Sequence, residues 1–123
     1  MQKKTILVVE DELPLLEAVS EKFIKEGFNV LKARDGREAV ASALNDHPDL
    51  IMMDIIMSGM DGMTAMKKIR EDEWGKNAKI ILVTNLSDSD YVNEAAKYGV
   101  SDFIVKTDYK LDEIVAIIRK KLV

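Results

Sequence analysis

Short apolar runs alternate with longer segments of helical period from one end of the chain to the other, and that alternation admits few folds. Ile6–Val9, Val30–Ala33, Leu50–Met53, Ile80–Val83 and Phe103–Val105 are the strand candidates. The first, third and fourth are apolar throughout, as expected of parallel strands covered on both faces. The stretch Phe28-Asn29-Val30-Leu31-Lys32 is more mixed and suits a sheet edge. Between the runs, apolar residues recur at three- and four-residue spacing: Leu15, Leu16, Val19, Phe23; Ala39, Val40, Ala43, Leu44; Met63, Met66, Ile69; Val92, Ala95, Ala96; and Leu111, Ile114, Val115, Ile118, Leu122. These are five amphipathic helices. Pro14 falls in the first turn of the first helix, where its missing donor does no harm, and Gly27 and Gly99 fall where the first and fourth should end. Parallel strands joined by helices give an α/β, three-layer sandwich with right-handed crossovers. In such sheets the site lies outside the C-terminal ends of the strands, so the positions to read are those after Val9, Met53, Val83 and Val105.

The 123 residues suit one domain, 1–123, able to bury roughly two-thirds of the surface of its unfolded form. Apolar residues at 47% and charged residues at 33% describe a globular chain, neither disordered nor fibrous. A formal charge of −4 gives no general attraction to nucleic acid or to an anionic membrane. The one cationic cluster, Arg119 to Lys121, complements the dipole at the end of the last helix. Without cysteine, disulfides, thiolate metal sites and a cysteine nucleophile are all excluded. That fits a reducing compartment, and the apolar stretch after Thr5 is too short for a signal-peptide core or a membrane span. A cytoplasmic address is expected.

Each strand end carries a polar residue suited to a metal and a phosphoryl group: Glu10, Asp11 and Glu12 after Val9, Asp54 after Met53, Thr84 after Val83, Lys106 after Val105. Carboxylates converging on one sheet edge repel one another unless a cation intervenes, and oxygen ligands without His or Cys favour a hard ion such as Mg2+. An aspartate beside that ion is a fitting nucleophile for phosphoryl transfer. Lys106 supplies a second positive charge, and the Thr84 hydroxyl can donate to a phosphoryl oxygen. Taken singly, each residue has a plainer reading: Asp11 or Glu12 as a helix-terminus carboxylate, Asp54 as a loop residue, Lys106 as a strand-end ion pair, Thr84 and Phe103 as packing.

The whole chain resembles the receiver domain of two-component response regulators. The resemblance rests on Ile6-Leu7-Val8-Val9-Glu10-Asp11-Glu12, Pro48-Asp49-Leu50-Ile51-Met52-Met53-Asp54, Gly59-Met60-Asp61-Gly62, Thr84, Gly99 through Phe103, and Lys106. It implies a flavodoxin-like sheet of order 2-1-3-4-5. It also implies that Asp54 is the phosphoacceptor, and that Glu10, Asp11, Asp54 and the backbone carbonyl of Ile56 hold Mg2+, for which Mn2+ can substitute. Thr84 and Phe103 would then form the switch, and Lys106 would contact the phosphoryl group. The implied donors are a sensor histidine kinase, a phosphotransfer protein or a small phosphodonor. The implied output is a switched protein-binding surface, with homodimerisation through the fourth helix, fifth strand and fifth helix compatible with it. Such a domain is a signalling module, not an enzyme acting on other substrates.

Several residues depart from the family pattern. Glu10 stands where aspartate is commoner and could reach the ion through water. Ser58 replaces the usual proline, which predicts a looser loop, and Asn85 follows Thr84 where small residues are usual. Thr107 also replaces a proline; a non-proline cis bond costs about 2.5–4 kcal/mol, so a trans Lys106–Thr107 bond is expected. The last loop is one residue longer than usual, which leaves Thr107 or Asp108 to cap the fifth helix. Apolar Ile56 and Leu86, two positions beyond Asp54 and Thr84, cannot orient an attacking water, which predicts slow autodephosphorylation. Among the methionines only Met57 and Met60 are expected on a loop; His47 should be solvated, and Trp74 a partly buried cap after the third helix.

Rival functions are weaker. An aspartate-nucleophile phosphatase of the haloacid dehalogenase kind would need a second Asp where Ile56 stands, and a flavodoxin would not place Glu10-Asp11-Glu12 against a phosphate. A degenerate receiver, binding partners without phosphorylation, stays open.

Overall fold

A computed structural model describes residues 3–85, 89–106 and 109–123, with the side chain of Ser89 excepted. The strands are β1 (Thr5–Val9), β2 (Asn29–Ala33), β3 (Leu50–Asp54), β4 (Ile80–Thr84) and β5 (Asp102–Val105). The helices are α1 (Leu13–Lys25), α2 (Gly36–Asp46), α3 (Gly62–Glu71), α4 (Ser89–Ala96) and α5 (Leu111–Leu122), and a 3-10 turn covers Gly75–Asn77. All strand pairs are parallel, in the order β2-β1-β3-β4-β5. The mixed second strand is therefore at an edge, and every residue of the apolar β3 and β4 is buried.

Alternation along the strands divides the core in two. Leu7, Val9, Ile51, Met53 and Leu82 face α2, α3 and α4. Ile6, Val8, Leu50, Met52, Ile81, Val83 and Ile104 face α1 and α5, where Leu16, Val19, Phe23, Ile114, Val115 and Ile118 meet them. The methionines are mainly packing, as expected, but loop residue Met57 is also buried in the α2–α4 side of the core.

The punctuation works as its chemistry requires. Gly27 (φ 97°) and Gly99 (φ 76°) turn the chain after α1 and α4 in a conformation that a side chain would strain. Asp35 and Asp61 cap α2 and α3 by accepting the Glu38 and Thr64 N–H groups at 2.9 and 2.8 Å. Glu12 occupies the cap position of α1 but makes no side-chain cap bond. For α5 the cap position falls to Lys110, whose N–H is accepted by Glu113 at 3.0 Å, so the helix starts beyond the residues expected to cap it. Thr107, Asp108, the Lys106–Thr107 bond and Leu86 lie outside the described residues.

His47 is exposed, as expected, yet it ends α2 at φ 46° and stacks on the partly buried Trp74, ring centroids 4.5 Å apart and 9° from parallel. Among the described residues no helix is long and apolar enough to cross a membrane.

Candidate functional site

Strand register places the acidic residues side by side. Val9 pairs with Met53, so the next residues, Glu10 and Asp54, reach the C-terminal edge of the sheet together. Thr84 pairs with Val105, which leaves Lys106 one step beyond. Because side chains alternate, Glu10, Asp54 and Lys106 continue the face of Val8, Met52 and Ile104, whereas Thr84 continues that of Leu82. Phe103 pairs with Leu82 and is half-buried on the α2–α4 side, on the same sheet face as Thr84.

The Lys106 ammonium donates to Glu10 Oε1 at 2.6 Å and to Asp54 Oδ2 at 2.8 Å. Both carboxylates are buried, Glu10 4% exposed and Asp54 6%. Charge-assisted bonds of this length offset part of the desolvation that burial imposes. Burial and the neighbouring Asp54 carboxylate nevertheless push the Glu10 carboxyl up to about 7, the Lys106 contact opposing the shift. Burial draws the Lys106 amine downward, but its bonds to Asp54 and Glu10 outweigh that and hold it above the ordinary lysine value.

Asp11 is held from a different direction. Its Oδ2 accepts the Ser58 N–H at 3.1 Å and the Ser58 hydroxyl at 3.2 Å, which ties the β3–α3 loop to the β1–α1 loop. A proline could make neither bond, so Ser58 trades the ring's stiffness for a tie to Asp11. The Ser58–Asp11 contact is what sequence reasoning missed, although the two donors, absent from proline, were visible there.

Glu10, Asp11 and Asp54 each offer a carboxylate oxygen, and the three atoms lie within 4.8 Å of one another. That all-oxygen, strongly anionic set fits a hard divalent cation such as Mg2+, and three ligands leave positions for water and a substrate oxygen. Ile56, whose carbonyl was also expected to contribute, is 59% exposed on the adjoining loop. The preceding Ile55 is fixed by bonds from its N–H to the Val83 carbonyl (2.9 Å) and to its carbonyl from the Gly62 N–H (2.8 Å). The structure thus gathers Glu10, Asp11, Asp54 and Lys106 into one bonded cluster at the sheet edge, with Thr84 ending the neighbouring strand.

The sequence profile of the response regulator receiver domain matches residues 6–119. The chain belongs to that family. As a receiver domain of two-component signalling it is 35% identical to the chemotaxis protein CheY of Bacillus subtilis over 118 residues, covering 95% of this chain and 96% of CheY. It is 34% identical to the regulatory protein AtoC of Escherichia coli over 117 residues, 95% of this chain but 25% of AtoC. The receiver therefore spans about a quarter of that longer regulator. Among solved structures, the CheX-CheY-BeF3-Mg2+ complex of Borrelia burgdorferi matches with a TM-score of 0.86 at 30% identity, covering 98% of this chain and 90% of that one.

Proposed function

We propose that this receiver domain, spanning residues 1–123, accepts a phosphoryl group on Asp54 in a Mg2+-dependent reaction and thereby switches a protein-binding surface. The observation that carries the reading is Asp54 itself: a carboxylate at a sheet edge, flanked by two further acids and bonded to Lys106. An Asp54 oxygen forms the new bond to phosphorus while the bond from phosphorus to the donor's nitrogen or oxygen breaks, its electron pair leaving with the donor. Glu10, Asp11, Asp54 and the Ile56 carbonyl would hold Mg2+, or Mn2+ in its place. When bound, such an ion offsets the charge that develops on the phosphoryl oxygens.

Lys106 supplies the protein's own cation to those oxygens, and the Thr84 hydroxyl donates to one of them. Thr84 and Phe103 share a sheet face on neighbouring strands, so a shift of the hydroxyl toward Asp54 is read by the ring and passed to α4 and β5 as a population shift. The donor is a sensor histidine kinase, a phosphotransfer protein or a small phosphodonor, and the CheX complex of the Borrelia CheY is in keeping with a protein partner.

Intact mass after incubation with acetyl phosphate and Mg2+ tests the reading. A single phosphoryl adduct is expected, absent from Asp54→Ala and after chelation, and persisting well beyond seconds because apolar Ile56 borders the site. No adduct on the folded native chain would favour a phosphorylation-independent interaction module.

A further inference from the structure

The end of the sheet opposite Asp54 carries a second group of residues that the phosphoacceptor chemistry does not use. Among the described residues His47 is the one non-glycine residue with positive φ, at 46°. Glycine or asparagine would end α2 in that conformation with less strain, so the histidine is held there against a backbone preference. Its exposed ring stacks on the partly buried Trp74, which follows α3. A strained backbone position that carries an exposed aromatic pair is the kind of outlier from which a function is inferred.

The pair borders a cavity of about 440 Å3 at the N-terminal edge of the sheet, a volume suited to a small molecule. Two lysines line it, Lys4 just ahead of β1 and Lys79 just ahead of β4. The acids that line it are already engaged: Asp49 accepts the Thr5 N–H at 2.7 Å, and Glu73 pairs with Lys76 at 2.8 Å. Lys79 donates to the Lys121 carbonyl at 3.1 Å, and neither it nor Lys4 pairs with a carboxylate among the described residues. The cavity thus joins an aromatic platform to two ammonium groups suited to an anion.

We propose that this cavity binds a nucleoside phosphate, its base stacked against the His47–Trp74 pair and its phosphate held by Lys4 and Lys79. Stacking on an aromatic side chain suits the flat face of any base, and an ammonium forms short charge-assisted bonds to phosphate oxygens. Asn77, which also lines the cavity, offers an amide that can both donate to and accept from a base edge. The site lies at the other end of the strands from the phosphoacceptor and draws on none of Asp54, Lys106 or a divalent cation.

Trp74 is the chain's single tryptophan, so its fluorescence reports on the cavity directly. Adenosine monophosphate is titrated into the full native chain with a chelator present, so that no metal-bridged phosphate forms at the acidic cluster. Saturable quenching is expected, with adenosine and inorganic phosphate each binding at least about tenfold more weakly, since each keeps only half of the recognition. His47→Gly keeps the left-handed helix end but removes the ring, and should weaken adenosine monophosphate about tenfold. Lys4→Gln combined with Lys79→Gln should bring its affinity down to that of adenosine. If either variant does not fold, His47→Asn and the single lysine variants make the same comparisons, because asparagine also tolerates the left-handed conformation. No saturable quenching at about 10 mM, or binding that adenosine or inorganic phosphate matches in the native chain, overturns the proposal. Equal affinity in the native and His47→Gly chains also overturns it, and leaves the stack as a fastening between α2 and the turn after α3.

Discussion

At the scale of single residues, Glu10 sets the pH response of the site. Its folded value of about 7 lies above the ordinary 4.5, so the fold takes up a proton that the unfolded chain would release between these values. The sign is therefore unusual for a carboxylate: the contribution is fully present below about 4.5 and is lost as the pH rises through 7. A cation must displace that proton below 7. Mg2+ affinity should be about tenfold weaker at pH 6 than at pH 8, with close to one proton released per ion at the lower pH, measured by calorimetry in buffers of different ionisation enthalpy. Ser58 gives a second residue-scale expectation. Its two bonds orient Asp11, and Ser58→Pro removes both donors, so Mg2+ should bind about tenfold more weakly with the unfolding midpoint little changed. An unaltered affinity would show that Asp11 needs no such support.

At the scale of elements, the site depends on how closely α3 approaches the end of β3. A methyl group at Gly62 would overlap the Asp54 carbonyl oxygen and crowd the Ile55 backbone, and only glycine leaves that space. Gly62→Ala should lower stability by about 1–3 kcal/mol, seen as a lower urea midpoint at unchanged slope. Asp54 phosphorylation should fall with it, because the acceptor's own backbone must move. Native phosphorylation in that variant would show that the loop relaxes elsewhere. The glycine stood out in the sequence, but as part of a motif; which backbone atoms it makes room for became evident only when α3 was seen packed on β3.

At the scale of the whole molecule, long cationic side chains fasten the layers at a distance from the site. Arg70 on α3 donates to the carbonyls of Gly75 (2.6 Å), Ala78 (2.8 Å) and Tyr98 (2.8 Å), joining α3, the 3-10 turn and the α4–β5 connection. Lys67 pairs with Glu94 and lies over the Tyr98 ring, so the C-terminal end of α4 is held to α3 twice. Arg70→Met should cost about 2–3 kcal/mol and speed amide exchange in the α4–β5 connection first; uniform exchange across the chain would argue against a local clamp. On the other face Arg119 bonds the Glu26 carbonyl at 2.7 Å and covers Phe28, and Lys121 meets Asp102 at 2.5 Å, so the cationic end of α5 serves packing as well as the helix dipole. The sequence by itself determined the succession of strands and helices, the buried central strands, the mixed edge strand and the strand-end positions of Glu10, Asp11, Asp54, Thr84 and Lys106. Periodicity and turn chemistry are local, and they are written in neighbouring residues. Tertiary structure alone decided that Lys106 is shared between Glu10 and Asp54, that Ser58 fastens Asp11, and that Met57 is buried, because each of these depends on distances between segments far apart in the chain.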